Sequence, residues 1–321
     1  MNFKAYKIWQ KEFLETNPKV FRADCLNPFK SMDYLLKDVS FTKEKRDKKE
    51  LYALWSKVNG TQISNENLAF SRGVRDSLGI LFAFFKERDI FIPHDIYPRY
   101  FELSKENRVK SFTTYPKMDW EFLKTIENSV ILLTIPFTPV GRVLEEDALK
   151  EIEVVIKNGN HLIIDSVYDY DLKNNFKKLK VLLESERVFW LHSLSKTYLS
   201  PEILGINYVP RAYKIYFENS WKNSLNEMND FSRPYDILTQ KPNFSNLQSE
   251  EFMKGFDFLS ENTGLDIYES EIAYFAVVEE SFESLLKHNI LAVPASVFGS
   301  KRDDLTVVTG LYYLSGMENS K

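Results

Sequence analysis

A single cysteine, Cys25, leaves nothing with which to close an intrachain disulfide, and it suits a reducing compartment. No apolar run approaches the roughly 18 residues that a membrane-spanning helix requires. The opening stretch MNFKAYKIWQKEF has helical periodicity but neither the apolar core nor the small-residue cleavage site of a secretion signal. A cytoplasmic protein without a membrane partner is expected. Basic clusters are missing as well: 42 Lys and Arg stand against 46 Asp and Glu, a net charge of -4, which gives no electrostatic ground for a nucleic-acid partner. The four histidines, His94, His161, His192 and His288, lack metal-ligand spacing, and no metal is expected. Glycine is scarce, at 11 of 321 residues, so the chain is sparing with loops. Against these absences stand 44% hydrophobic and 15% aromatic residues, enough for a large core divided into one larger and one smaller lobe.

The most informative stretch is Val188 to Gly205, VFWLHSLSKTYLSPEILG. An apolar run breaks into Ser-x-Ser-Lys-Thr-Tyr, which places Lys196 just past the end of a strand. A lysine at the rim of a parallel sheet lies where open α/β folds bind their ligands, and its amine can form a Schiff base with a carbonyl. The same residues also read as a solvated lysine in a polar loop.

The neighbouring segments supply context. Leu68 to Phe70 reads as a short strand, Ser71-Arg72-Gly73 as a turn, and Val74 to Phe85 as an apolar helix whose first N–H groups face the strand end, a seat for a phosphate or an ordinary strand-turn-helix. Arg75 lies in its first turn. Asp89 to Tyr100 reads as a short buried strand, then Pro93 and Tyr97-Pro98 in an extended loop. The apolar run Asn128 to Gly141, His161 to Tyr168 with its strand ending in Asp165, and Gly205 to Pro210 read as further strands, and Leu144 to Asn158 as a helix stopped by Gly159. Strands alternating with helices predict an α/β fold, a mostly parallel sheet sandwiched by helices. Asp165 ends a fully apolar strand, where an unpaired carboxylate is costly and a cation is needed beside it. After Arg211 a long helix (YKIYFENSWKNSLNEMN) is expected, then an irregular region to about Asn262. Strands at Glu271 to Val278 and Ile290 to Val293, flanking a helix Phe282 to His288, predict a smaller α+β lobe. The expected division is residues 1–44 as an N-terminal arm joined to the small lobe, 45–210 as the large domain, and 211–321 as linker helix and small domain.

Taken in order, these landmarks resemble the fold-type I pyridoxal-phosphate enzymes of the class I/II aminotransferase family, from about Asn67 onward. They are the turn and helix at Gly73, PxxxYPxY from Pro93 to Tyr100, P-x-G at Pro139 to Gly141, Asp-x-x-Tyr at Asp165 and Tyr168, SxSKT at Ser193 to Thr197, and PxSxFG at Pro294 to Gly299. The resemblance implies pyridoxal 5'-phosphate as cofactor, with Lys196 as its Schiff-base lysine and proton shuttle. It implies Asp165 on the pyridine nitrogen, Tyr168 on the ring oxygen, and Tyr97 against the ring face. Gly73, Val74, Arg75, Ser193 and Ser195 would surround the phosphate, and Thr138 the ring edge. It further implies an amine or amino-acid donor, a keto acceptor and a homodimer. Lyase, decarboxylase or oxidase chemistry on the same scaffold, or cofactor binding without catalysis, are the alternatives.

Three family positions differ. Thr138 stands where an asparagine usually precedes the proline. Counting eight residues from Lys196 reaches Leu204 where an arginine usually meets the phosphate. The strand Leu305 to Thr309 lacks the arginine that clamps the substrate α-carboxylate. Arg75 is expected to replace the phosphate arginine, while Arg302 and Arg142 are either carboxylate partners or solvated charges.

Overall fold

The computed structural model describes residues 1–139, 141–142, 144–200, 203–225, 230–268 and 275–311. Seven strands form the main sheet: β1 (Leu68–Ser71), β2 (Asp89–Pro93), β3 (Arg108–Phe112), β4 (Val130–Thr134), β5 (His161–Asp165), β6 (Val188–Ser193) and β7 (Gly205–Tyr208). Their spatial order is β1-β7-β6-β5-β4-β2-β3, and every neighbouring pair is parallel except the two that involve β7.

Alternation along the strands builds two cores. Val130, Leu132, Ile163, Phe189 and Leu191 face one side, where the helices Gly73–Phe84 and Lys214–Leu225 bring Leu78, Phe82, Phe217 and Trp221. Ile131, Leu133, Leu162, Ile164 and Trp190 face the other, under Trp55, Ile152, Phe176 and Leu179 of the helices Lys48–Asn59, Glu146–Lys157 and Leu172–Leu183. A sheet covered on both faces needs apolar residues at consecutive positions, which is why β4, β5 and β6 read as unbroken apolar runs. The edge strand β3 does not, since only Phe112 of its five residues is buried and Arg108 and Lys110 pair with Asp89 at 2.8 and 2.7 Å. Charged edges of this kind deter further pairing.

A second, antiparallel sheet contains β8 (Ile267–Tyr268), β9 (Phe275–Val278), β10 (Val293–Pro294) and β11 (Thr306–Thr309), in the order β10-β11-β9-β8. The expected strand from Glu271 falls partly outside the described residues, and its remainder is β9. The irregular region expected before Asn262 is instead two helices, Ser232–Gln240 and Phe244–Thr263. The second buries Phe244, Gln248, Phe252, Phe256 and Leu259, a helical stripe diluted by polar residues.

The first residues of the chain pack on its last described strands. Phe21–Arg22 pairs in parallel with Ile290–Leu291, Thr309 N donates to Ala23 O at 2.9 Å, and Tyr6 OH donates to Ala292 O at 2.7 Å. Tyr6 and Trp9 of the helix Phe3–Thr16 lie edge-on to Phe282.

Candidate active site

The sheet delivers its chemistry at the carboxyl ends of β4, β5 and β6. β6 ends at Ser193, whose hydroxyl accepts from Ser195 N at 3.3 Å and caps the single turn Leu194–Thr197. That turn lifts Lys196 into a half-buried position. Its Nζ donates to Asn27 Oδ1 at 3.4 Å, and its carbonyl accepts from Gln248 Nε2 at 3.1 Å. Beneath it, His192 stacks on Trp190 at 5.7 Å, and its Nδ1 faces Ser166 O at 2.8 Å. Burial lowers the His192 pKa to about 4, so the ring is neutral and Nδ1 carries the proton.

Asp165 closes β5, in register with Thr134 of β4 and Leu191 of β6. Its side chain is almost sealed, at 2% exposure, and it accepts from Val167 N at 2.9 Å and from the Tyr100 hydroxyl. Burial raises its pKa to about 6 despite both hydrogen bonds. Among the described residues no lysine or arginine pairs with it. Tyr100 is a site residue that sequence reasoning missed, although its signal was present as the last tyrosine of the Pro93 to Tyr100 motif. Tyr100 sits among Asp165, Tyr168 and Tyr97; burial first, then these neighbours, push its phenol well above the usual range.

Tyr97 is 36% exposed and meets Phe3 edge-on at 5.4 Å. Burial raises its pKa, and the charge of Arg75 pulls the other way. Tyr168, half-buried, lies edge-on to Phe275 of β9 at 5.7 Å. Thr138 follows β4; its hydroxyl is 2.6 Å from Thr134 Oγ1, and its carbonyl accepts from Thr114 Oγ1 at 2.9 Å.

The turn after β1 is shaped by backbone close to backbone. Gly73 has φ +80°, and a Cβ there would meet Ile203 Cγ2 at 2.3 Å with Ser193 Oγ 3.6 Å away. Gly205 of β7 lets that strand press on the turn, since a Cβ would meet Ser71 Oγ at 2.1 Å and Gly73 N and Cα at 3.0 Å. Behind it, Ser77 Oγ lies 2.6 Å from Ser71 Oγ and 3.1 Å from Asn207 Oδ1, all buried. Val74 is buried and Arg75 exposed at the start of the helix. Leu204, reached by counting, is wholly buried; the side chain against Gly73 is Ile203, 39% exposed.

β11 itself carries no cation: its four residues, Thr306 to Thr309, are buried, and the Thr306 hydroxyl donates to Glu280 O at 2.7 Å. Arg302 is held by Asp304 through Nε at 2.9 Å and through Nη2, over the Tyr115 ring. Arg142 pairs with Phe137 in an isolated bridge. Among the described residues, no group of three or more His, Cys, Asp or Glu suits a metal ion, and no helix is long and apolar enough to cross a membrane.

Residues 45–263 match the profile of the family described as aminotransferase class I and II, and the chain belongs to that family. Its cofactor is pyridoxal 5'-phosphate, and it is an enzyme of the aminotransferase-like class. No curated protein matches the sequence. Among solved structures the chain is similar to Bna3p, a putative kynurenine aminotransferase from Saccharomyces cerevisiae, with TM-score 0.75, 14% identity and coverage of 100% of this chain and 95% of that one. A double mutant of Thermus thermophilus aspartate aminotransferase gives 0.74, 14%, 100% and 95%. A PLP-bound C-S lyase from Staphylococcus hominis gives 0.71, 15%, 94% and 87%. At these identities the likeness shows the fold, a mostly parallel sheet flanked by helices.

Proposed function

We propose that the chain is a pyridoxal-phosphate-dependent aminotransferase in which Lys196, Asp165 and Tyr168 are the catalytic residues. The observation that carries this reading is Asp165, a sealed carboxylate without a cationic partner among the described residues, one strand away from the turn that presents Lys196. A protonated pyridine nitrogen would supply the missing cation, so the acid fits the cofactor ring. Bound, the cofactor supplies an electron sink that acidifies the substrate carbon.

Lys196 would hold the cofactor through Nζ and, when free of it, would carry a proton at that atom. Asp165 is kept anionic by the charge it meets. Tyr168 would donate to the ring oxygen, Tyr97 would cover the ring, and Thr138 would line its edge. Gly73, Val74, Ser193 and Ser195 offer N–H and hydroxyl groups to the phosphate. Arg75 supplies its countercharge, because Ile203 occupies the wall beside Gly73.

Without a cation on β11, an ordinary α-carboxylate loses a bidentate clamp. The donor is therefore an amine, or an amino acid whose carboxylate is held differently, and the acceptor is a keto compound. We place the enzyme in the cytoplasm as a homodimer, since members of the family it resembles build the site across a subunit boundary. The arm, large-domain and small-domain division at residues 44 and 210 belongs to the same proposal.

The test is a single-turnover reaction with candidate donors, read by the cofactor's visible spectrum beside Lys196→Ala. Conversion to the amine form of the cofactor, reversed by a keto acceptor, supports an aminotransferase. Return of the aldehyde form without an acceptor makes it a lyase, and no spectral change with any donor leaves a cofactor-binding protein.

A further inference from the structure

One contact to Lys196 comes from outside the sheet. Among the described residues, Asn27 Oδ1 at 3.4 Å is the only hydrogen-bond partner of Nζ. Asn27 caps the short helix Pro28–Ser31, its Oδ1 accepting from Phe29 N at 3.4 Å. The segment before it is fixed on both sides at Ala23, whose N donates to Leu291 O at 2.7 Å and whose O accepts from Thr309 N at 2.9 Å. The segment after it is fixed by Gln248, whose Nε2 lies 3.7 Å from Met32 Sδ and 3.1 Å from the Lys196 carbonyl. The amide oxygen and the amine are thus referred to one buried side chain.

The chemistry of the partner matters. A lysine that attacks a carbonyl must be neutral, with its lone pair free. A carboxylate at this distance would favour the ammonium form and raise the pKa. An amide oxygen accepts one N–H without carrying a full charge, so it orients the amine and leaves it reactive. It can donate nothing to the amine's lone pair through that oxygen.

We propose that Asn27 is a positioning residue for Lys196, aiming its amine through a neutral acceptor. The proposal rests on Lys196 being the lysine that binds the cofactor.

Two substitutions separate aiming from helix capping. Asn27→Ser keeps a capping side chain of similar quality but is too short to reach Nζ. Asn27→Asp keeps both cap and reach and adds a charge. Cofactor-free, full-length protein is mixed with pyridoxal 5'-phosphate from pH 6 to 10. Covalent capture is followed by absorbance and by borohydride trapping with peptide mass analysis, and thermal midpoints are recorded. Asn27→Ser should slow capture at pH 7 by up to about tenfold, the upper range for one neutral hydrogen bond, with an unchanged thermal midpoint. Asn27→Asp should move the midpoint of the pH–rate profile upward by about one pH unit. Native rates and midpoints in both variants would overturn the proposal. If Asn27→Ser does not fold, the presence or absence of the Asp shift decides. Failure of the native protein to label Lys196 at all would overturn the lysine assignment, and the proposal with it.

Discussion

At the scale of single residues, Asp165 makes the most exposed claim. Its pKa is raised by burial to about 6 against an ordinary value of 3.8, so the folded cofactor-free protein holds this proton more tightly than the unfolded chain. Stability from this group is present below pH 4 and is lost as pH rises toward 6, on the order of 3 kcal/mol in all. Asp169, also sealed and raised by burial to about 7, adds to the same fall over a slightly higher range. Chemical denaturation of the cofactor-free protein between pH 4 and 8 should show this decline, and Asp165→Asn should flatten part of it. Unchanged slopes in Asp165→Asn and Asp169→Asn would mean that neither carboxyl is raised. Tyr100→Phe removes a hydrogen bond that favours the Asp165 anion, so the acid should become harder to ionise and cofactor affinity should fall about tenfold, as read by equilibrium titration. Asp165 and Lys196 were legible because unbroken apolar runs end beside them. Tyr100 was visible only as a motif position. Asn27 was not legible as a partner of the lysine, because the contact joins residues 169 apart.

Among the elements, the turn after β1 depends on two neighbours that β7 brings. Gly205→Ala would drive a methyl into Ser71 Oγ and the Gly73 backbone, and a cost on the order of 3 kcal/mol is expected, with loss of cofactor retention on gel filtration. Ile203→Arg, by contrast, places a cation where an aliphatic group now meets the turn. It should tighten cofactor binding by tenfold or more, and a dissociation constant equal to that of the native protein would remove the phosphate from this wall. Sequence patterns reported β4, β5 and β6 well, since burial on both faces leaves a continuous apolar run. They missed β3, whose charges face water at the sheet edge, and the helix Phe244–Thr263, whose apolar stripe is interrupted by Ser, Gln and Glu. Counting from Lys196 reaches Leu204, which packs inward, while Ile203 beside it meets the turn at Gly73.

For the whole molecule, the proposed homodimer is open to direct test. Sedimentation at micromolar concentration with cofactor bound should give twice the 37.7 kDa chain mass, and a monomer would refute it. The α/β class followed from the alternation of patterns, whereas the particular strands on which the first helix and Ala23 dock could not be read locally. That attachment also sets a timetable. Tyr6 finds its carbonyl acceptor 286 residues later, and Ala23 is pinned by strands at Leu291 and Thr309. On a ribosome, the arm that carries Asn27 emerges before the main sheet and stays without its seat until the second sheet has been synthesised. The main sheet can assemble and offer Lys196 well before then. The nascent chain should therefore bind the cofactor before its lysine is fully aimed, and docking of the arm on the second sheet should finish the aiming.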